Sequence, residues 1–400
     1  MTGLRMEEVE RAFRDARGPA VATLVRLFGD ISLAEDAVQD AFVTAVDRWP
    51  RDGVPVNPAG WIVTTARNRA VDVVRRNARG RELTRDIAAD RLHTASEAFE
   101  GDQLRLMFTC CHPALRGEHQ VALTLRLVAG LTLPELASGF LVSEETMSKR
   151  LVRAKYKIKA ARIPYRIPGD AELPGRLRAV LSVLYLVYNT GADDRDRAYL
   201  CAEAIRLTRL LVQLVPAEPE VVGLLALMLL NDARKPARGD RGIGVLLQDQ
   251  DRSLWDHALI DEGQTLVLSC IRRRRLGPFQ LQAAIQALHC AAARYEDTDW
   301  AAIVRFYDRL LEVMPTPVVA LNRAIALAES QGPSAGLAVL DTLADELGDY
   351  HVLHAARGRM LSKLGLQAEA ASAYARGASV ARTEPARTFL EEQAASTVLY

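Results

Sequence analysis

The chain has 400 residues, of which 49% are hydrophobic and 25% charged, and its formal net charge is +1. This length indicates two to four folded units, and this composition excludes a disordered chain. A net charge so close to zero excludes a uniformly basic nucleic-acid-binding protein, so affinity for a polyanion has to come from local patches. Five scattered cysteines exclude a disulfide framework and favour the reducing cytoplasm.

Nothing in the sequence predicts a membrane partner. The first residues, MTGLRMEEVERAF, contain no apolar stretch of the kind that signal peptides have. The longest apolar run, Val221–Leu230, is about half the length that a bilayer-crossing helix needs. We therefore expect this run to form a buried helix.

Residues 1–80, here called segment one, are predicted to form three helices. They are Val9–Phe28, Ser32–Trp49 and Pro58–Asn77. Ser32 is predicted to cap the second helix, with Glu35 completing a capping box, and Asn57 is predicted to cap the third. Residues 81–102 are polar without an apolar stripe, which is typical of a linker.

Residues 103–166, here called segment two, contain a helix-turn-helix pattern. The predicted helices are Gln120–Val128, Leu133–Phe140 and a longer one from Glu144 to about Arg162. Thr132 and Ser143 precede the last two as N-caps. Two consecutive helices joined by a tight connection are typical of DNA-binding proteins, although the pattern also occurs by chance.

Two stretches of the neutral chain are strongly basic. One runs from Arg67 to Arg85 and the other from Glu144 to Arg166. Two basic helices indicate two contacts with a polyanion, whereas the alternative is a pair of ordinary solvated faces. Charge alone does not decide between these interpretations.

The long helix of segment two has the layout of a recognition helix. Its apolar residues fall on one stripe: Met147, Leu151, Ala154 and Ile158. We predict that six side chains of its N-terminal part face DNA: Glu145, Thr146, Ser148, Lys149, Arg150 and Arg153. The later basic residues are expected to touch phosphates, which position a protein without specifying sequence: Lys155, Lys157, Lys159 and Arg162.

Residues 167–400 are predicted to be helical and to contain an internal repeat. Gly332 recurs as Gly365, and Ala335 recurs as Ala368. A period of about 33 residues is the spacing of tetratricopeptide (TPR) repeats. A stack of helical hairpins is therefore favoured over a generic helical bundle.

Motifs in both segments resemble those of a known protein family. Segment one, with AEDAVQDAFVTAVDRWP and NPAGWIVTTARNRAVDVVRR, resembles region 2 of the sigma-70 family. Segment two, with LTLPELASGFLVSEETMSKRLVRAKYKI, resembles region 4. This two-module layout resembles the extracytoplasmic-function (ECF) sigma factors. The stretches FTCCHPAL, LLALMLLNDARKPAR and DQDRSLWD resemble a subgroup with a TPR-like extension. So does the stretch from GPFQLQAAIQALH through PTPVVALNRAIAL (Gly277–Leu327). That subgroup usually has an Asn-Glu-Gly-Tyr-like stretch where this chain reads NTGA at 189–192.

The resemblance implies specific partners and contact residues. Core RNA polymerase would be bound by Glu35, Asp36, Gln39, Asp40 and Phe42. The −10 promoter element would be contacted by Trp61, Arg67, Asn68, Arg75 and Arg76, although a tryptophan at the start of a helix is more often part of a core. The helix of segment two would contact the −35 element. The extension, residues 167–400, would regulate the factor or bind another protein.

Other function classes find less support. Cys110 and Cys111 point about 100° apart on a helix, which does not suit one metal ion, so structural thiols are favoured. The sequence contains no Walker loop, GxSxG or HExxH, and neither enzymatic activity nor a cofactor is predicted. A helix-turn-helix regulator with a repeat sensor domain, and a repeat scaffold that binds no DNA, remain as alternatives. The resulting prediction is an all-α, cytoplasmic ECF sigma factor.

Overall fold

The computed structural model describes residues 16–76, 95–140, 142–169, 171–192, 198–238, 246–272 and 276–398. It divides into two compact units, Met1–Leu210 and Leu211–Tyr400. The described residues are helical with irregular connections and contain no strand. The prediction of an all-α fold is therefore confirmed. No helix among these residues is both long and apolar enough to cross a membrane.

The first unit contains nine helices within the described ranges. The described part of α1 is residues 16–28. The others are α2 (Ile31–Asp52), α3 (Pro58–Arg76), α4 (Ala95–Cys110), α5 (Gly117–Leu123), α6 (Leu133–Gly139), α7 (Glu144–Ala160), α8 (Leu173–Ala192) and α9 (Tyr199–Leu214, which extends into the second unit). Helix α5 continues as one π-helical stretch, Thr124–Val128.

Of the two N-caps predicted in segment one, Asn57 is confirmed and Ser32 is wrong. Asp30, not Ser32, caps α2: its carboxylate accepts from the backbone N–H groups of Ser32 and Leu33. Gly29, immediately before Asp30, has a positive φ of 68°. This backbone conformation, which glycine adopts readily, turns the chain into α2. Asn57 accepts from the N–H of Gly60, as expected for the start of α3.

The two predicted caps of segment two are confirmed. Thr132 and Glu135 form a reciprocal capping box at α6, and Ser143 accepts from the N–H of Thr146 at α7. The apolar stripe of α7 is buried as predicted. The linker predicted over 81–102 lies mostly outside the described residues, and its last part belongs to α4, where Asp102 is buried.

Helix α8 packs on segment two. The Arg176 guanidinium donates to the carbonyl oxygen of Phe108 in α4, and α8 contacts both α4 and α5. Nearby, the Tyr199 hydroxyl of α9 lies 3.4 Å from a carboxylate oxygen of Glu135. The residues that follow Pro168 therefore continue the first unit up to Leu210.

The second unit continues as further helices. They are α10 (Pro219–Asp232), α11 (His257–Arg272), α12 (Pro278–Ala291), α13 (Trp300–Val313), α14 (Pro317–Gln331), α15 (Pro333–Thr342), α16 (His351–Lys363), α17 (Gln367–Val380) and α18 (Glu384–Val398). Helix α10 is buried from Val221 to Leu230 between α11 and α12, which confirms the buried helix predicted for the apolar run.

The recurrence of glycines has a structural counterpart. Gly332 joins α14 to α15 with φ of 99°, and Gly365 joins α16 to α17 with φ of 77°. L-residues other than glycine rarely adopt this backbone region. From α13 onward, each long helix packs on the next in sequence. The two glycines therefore make equivalent turns in a sequentially packed series.

Candidate nucleic-acid interface

Helix α7 presents a polar face opposite its buried stripe. Glu145, Thr146, Lys149 and Arg153 are exposed, whereas Ser148 and Arg150 are half-buried. An ion pair of 2.6 Å joins the Lys149 Nζ to a Glu145 carboxylate oxygen one turn earlier. The first turn of α7 thus carries both donors and acceptors that face solvent, the combination that base edges require.

Arg150 connects α7 to its neighbours. Its guanidinium lies 3.4 Å from a carboxylate oxygen of Glu118 in α5 and 5.3 Å from the ring centroid of Phe140. Such contacts with a carboxylate and an aromatic face restrict the side chain. Arg150 therefore helps to fix the position of α7 on the rest of segment two.

The positive surface extends beyond the residues that the sequence suggested. Arg116 is exposed at the start of α5. The pKa of His119, one turn later, is lowered by partial burial and by the nearby charges of Arg116 and Arg150. Arg153 acts in the same direction. Cations from α5 and α7 therefore form one surface, which the charge pattern of α7 alone did not predict.

Helix α2 sorts the predicted polymerase contacts into two groups. Asp36, Gln39 and Asp40 are exposed on one face. Glu35 and Phe42 are buried, with residue exposures of 7% and 3%. In this arrangement a partner cannot reach the two buried side chains. Glu35 and Phe42 therefore do not share the exposed surface of Asp36, Gln39 and Asp40, with which the sequence analysis grouped them.

The exposed face of α2 also has an apolar component that the sequence did not reveal. Val43 is 67% exposed and Val46 is 48% exposed. They follow Asp36, Gln39 and Asp40 at spacings of three and four residues, so all five lie along one stripe of the helix. A stripe of acidic, amide and aliphatic side chains is suited to a helical partner that carries basic residues.

The buried Glu35 carboxylate forms ion pairs with three basic side chains, two of them from distant parts of the chain. Its oxygens lie 3.3 Å from the Arg17 guanidinium, 2.6 Å from Arg126 Nε and 3.1 Å from Lys155 Nζ. Burial raises the pKa of Glu35, but Arg126 and Lys155 outweigh that effect and hold it below its usual value. Burial and the charge of Arg126 lower the pKa of Arg17 to about 10, against the opposing effect of Glu35.

Helix α3 presents most of its predicted DNA contacts to solvent. Asn68, Arg75 and Arg76 are exposed, and Arg67 is half-buried. Trp61 is half-buried, and its ring packs edge-on against Trp49 with centroids 5.5 Å apart. The structure therefore gives Trp61 a packing contact within segment one.

Comparisons with known proteins agree with this geometry. A family described as Sigma-70 region 2 matches residues 13–80, and a family of unknown function (DUF6596) matches residues 176–270. The uncharacterized protein R00370 of Rhizobium meliloti is 42% identical over 402 residues, covering 96% of this chain and 95% of that protein. The chain belongs to the same protein family as R00370. Residues 13–80 form a sigma-70 region 2 module.

Two sigma factors are more distant relatives. The probable ECF RNA polymerase sigma factor SigI of Mycobacterium tuberculosis is 27% identical over 165 residues, which cover 39% of this chain and 56% of SigI. The ECF RNA polymerase sigma factor SigL of the same species is 28% identical over 142 residues, covering 35% of this chain and 78% of SigL. Both matches are shorter than the first unit.

In the second unit, residues from three sequence motifs meet in a polar core. Arg234 donates to the side-chain oxygens of Asn231 and Gln286, at 2.9 and 2.6 Å. Arg252 donates to the carbonyl oxygens of His289 and Ala292. These bonds connect the end of α10 with α12 and tie Arg252 to the end of α12. Three of the motifs quoted for the extension therefore contribute contacts that hold this unit together.

Proposed function

We propose that the chain is an RNA polymerase sigma factor of the ECF type. The region 2 module carries the polymerase-facing helix α2 and the basic helix α3. Segment two carries α7 as the reader of a second promoter element. The main support is the sigma-70 region 2 match over residues 13–80, together with the solvent-facing stripe of α2.

The proposed polymerase contact is the stripe Asp36, Gln39, Asp40, Val43 and Val46. Carboxylates on an exposed helix attract a basic partner, and the two valines supply apolar area that becomes buried on docking. Glu35 and Phe42 are not included because they are buried in this structure.

The proposed promoter contacts lie on α3 and α7. Asn68, Arg75 and Arg76 would follow the −10 strand, where unstacking costs a few kcal/mol per step and is offset by base and phosphate contacts. In α7, Lys149 is positioned to donate to guanine and Glu145 to accept from cytosine, once their mutual ion pair opens. Catalysis of RNA synthesis would belong to the polymerase.

The second unit is proposed to be a TPR-like regulatory or interaction domain. The support is the 33-residue recurrence of Gly332 and Gly365, which make matching turns with positive φ. Stacked helical hairpins form extended surfaces suited to protein partners.

Run-off transcription tests the proposal. Core polymerase, with and without the full-length protein, would transcribe DNA from upstream of the protein's own gene. We expect specific transcripts that depend on the protein and are lost when Gln39 and Asp40 are both replaced by alanine. A Glu312→Ala variant, which changes an exposed carboxylate in the second unit, serves as the matched control.

The alternative function gives a different result. A helix-turn-helix regulator that acts without a sigma role would bind the same duplex, yet no transcript would depend on it with core polymerase alone. Binding of that kind, with unchanged affinity in the Gln39→Ala/Asp40→Ala variant, would contradict the proposal.

A further inference from the structure

A groove in the first unit lies among α5, α6 and α8. Its volume is about 590 Å³, within the range of roughly 300–1,000 Å³ that is usual for small-molecule pockets. Most of its lining is apolar: Val121, Leu125, Leu136, Phe140, Val183 and Leu186. Leu186 is 49% exposed, so the groove leaves aliphatic surface in contact with water. A ligand with an apolar body would be stabilised by covering this surface.

Part of the lining has an unusual backbone. Leu125 belongs to the π-helical stretch Thr124–Val128, and its carbonyl oxygen accepts from the N–H of Leu131, another lining residue, at 2.9 Å. Single π-helical turns within helices are rare and occur frequently at functional sites. The groove therefore combines an apolar cavity with a backbone feature that is typical of such sites.

The charged residues of the lining are both acidic. They are Glu118 and Glu135, and the described part of the lining contains no lysine, arginine or histidine. One oxygen of Glu135 accepts from the N–H and the hydroxyl of Thr132 at 2.6 and 2.7 Å, and the other lies 3.4 Å from the Tyr199 hydroxyl. These donors are uncharged, and Arg17, whose charge also acts on Glu135, pairs with Glu35. The carboxylate of Glu135 can therefore accept a further, charged donor.

The second carboxylate places the groove beside α7. Glu118 lies 3.4 Å from the Arg150 guanidinium, and its side chain is 71% exposed. The ring of Phe140, also in the lining, lies 5.3 Å from the same guanidinium. Two residues of the groove therefore contact the arginine that helps to fix α7.

Helix α8 contributes the residue at which the chain departs from the subgroup that it resembles. Thr190 lines the groove and belongs to the stretch NTGA, where that subgroup usually has Asn-Glu-Gly-Tyr. The Thr190 hydroxyl donates to the carbonyl oxygen of Leu186 in its own helix at 2.8 Å. A glutamate at position 190 would add a third carboxylate to the lining.

We propose that this groove binds a small organic cation, with a protonated amine paired to Glu135 and an apolar body on the aliphatic lining. Charge complementarity selects this class of ligand, because an anion would face two carboxylates and a neutral molecule would leave Glu135 without a charged partner. The apolar body supplies affinity, and the ammonium group supplies selectivity. The site uses none of the residues proposed to contact polymerase or promoter.

Calorimetric titration of the full-length protein with three phenylbutyl compounds tests the site. Phenylbutylamine is positively charged at neutral pH, phenylbutanol has a neutral hydroxyl in place of the ammonium group, and phenylbutanoate is negatively charged. Because the apolar body is the same, differences in Kd report the recognition of charge. We expect the amine to bind roughly three- to tenfold more tightly than the alcohol, and the acid to bind more weakly than either.

Two substitutions should shift the affinity for the amine in opposite directions. Glu135→Gln removes the charge but keeps a side chain that can form the capping box with Thr132, and it should lower the affinity for the amine to that for the alcohol. Thr190→Glu should raise the affinity for the amine at least about threefold. Glu384→Gln, the same charge change at an exposed site in the second unit, should bind like the wild type.

A third substitution locates the bound compound. Ser182 lines the groove and is exposed, so Ser182→Phe should fill part of the groove and abolish binding of both amine and alcohol. Ser379→Phe, at an exposed position of α17, is the matched control and should leave binding unchanged. The opposite shifts of Glu135→Gln and Thr190→Glu keep the test decisive if Ser182→Phe does not fold.

Three results would overturn the proposal. Equal Kd values for amine and alcohol would show that the carboxylates play no part, and unchanged binding to Ser182→Phe would place the amine elsewhere. The site is also wrong if no compound binds the wild type or Thr190→Glu. In that case, loss of core-dependent transcription in Ser182→Phe would identify the groove as a surface for a protein partner. A wild type that binds the amine but supports no transcription would instead contradict the sigma assignment alone.

Discussion

His289 is a neutral imidazole enclosed in the second unit. Burial and the nearby charges of Arg234 and Arg252 lower its pKa to about 3, and its ring lies against Trp300 at a centroid distance of 5.2 Å. Because the usual histidine pKa is near 6.5, the folded state excludes a proton that the unfolded state accepts below that pH. The stability contributed by this site is therefore complete above pH 6.5 and is lost as the pH falls toward 3.

This titration predicts acid sensitivity of the second unit. Between pH 7 and pH 5, the free energy of unfolding should decrease by about 2 kcal/mol through His289 alone. Urea unfolding at both pH values measures the difference. In a His289→Gln variant most of that difference should disappear, whereas His257→Gln, at an exposed position, should retain it. Equal pH dependence in both variants would contradict the assignment.

The ion-pair partners of buried Glu35 could not be predicted from the sequence. The spacing of α2 places Glu35 on the same face as Val38, Phe42 and Ala45, all of which are buried. A carboxylate is rarely buried without partners. Its partners Arg126 and Lys155 lie 91 and 120 residues away, and no local pattern connects them to Glu35.

At the scale of elements, helices α10 and α12 approach closely at a glycine. A Cβ added at Gly223 would lie 2.7 Å from the backbone nitrogen of Gln280 and 2.6 Å from its Cγ. Since backbone atoms cannot move aside cheaply, the two helices would have to separate. Gly223 therefore sets the distance between them.

We expect Gly223→Ala to destabilise the protein by about 1–3 kcal/mol. The matched control is Gly175→Ala in α8, where an added Cβ meets nothing within 4 Å. That substitution should be neutral or stabilising by about 0.4–1 kcal/mol, because alanine has less freedom in the unfolded chain. Thermal unfolding distinguishes the two, and equal midpoints would contradict the role given to Gly223.

Elements were predictable where one local signal dominated. Thr132 and Ser143 are good N-caps directly before apolar periodic residues, and α6 and α7 begin where they predict. At the start of α2 the prediction was Ser32, but Asp30 caps the helix, and Gly29 before it has a positive φ of 68°. The sequence pattern alone does not predict that backbone angle.

At the scale of the molecule, the division after Leu210 changes the design of truncations. A chain ending at Arg166 would remove α8 and the Arg176 contact with Phe108 in α4. A chain ending after Leu214 keeps α8 and all of α9. We expect the longer truncation to unfold cooperatively in urea, and the shorter one to lose at least about 2 kcal/mol through the exposed apolar surface of α4 and α5.

Circular dichroism during urea titration measures both truncations. If the chain ending at Arg166 is as stable as the one ending after Leu214, α8 is not part of the first unit's core. The sequence could not assign α8 to segment two, because an amphipathic helix has the same pattern whichever surface it covers. Only contacts between residues far apart in the chain, such as Arg176 with Phe108, place it there.

The sequential packing of α13 to α18 has a consequence for how the second unit comes apart. Because each long helix in this series is held mainly by its neighbours along the chain, its cooperativity is that of a one-dimensional array. The terminal helix α18 has a neighbour on one side of the series only and should open first, followed by α17. Unfolding from this end would be graded, with the loss of α18 leaving the polar core around Arg234 and Arg252 intact.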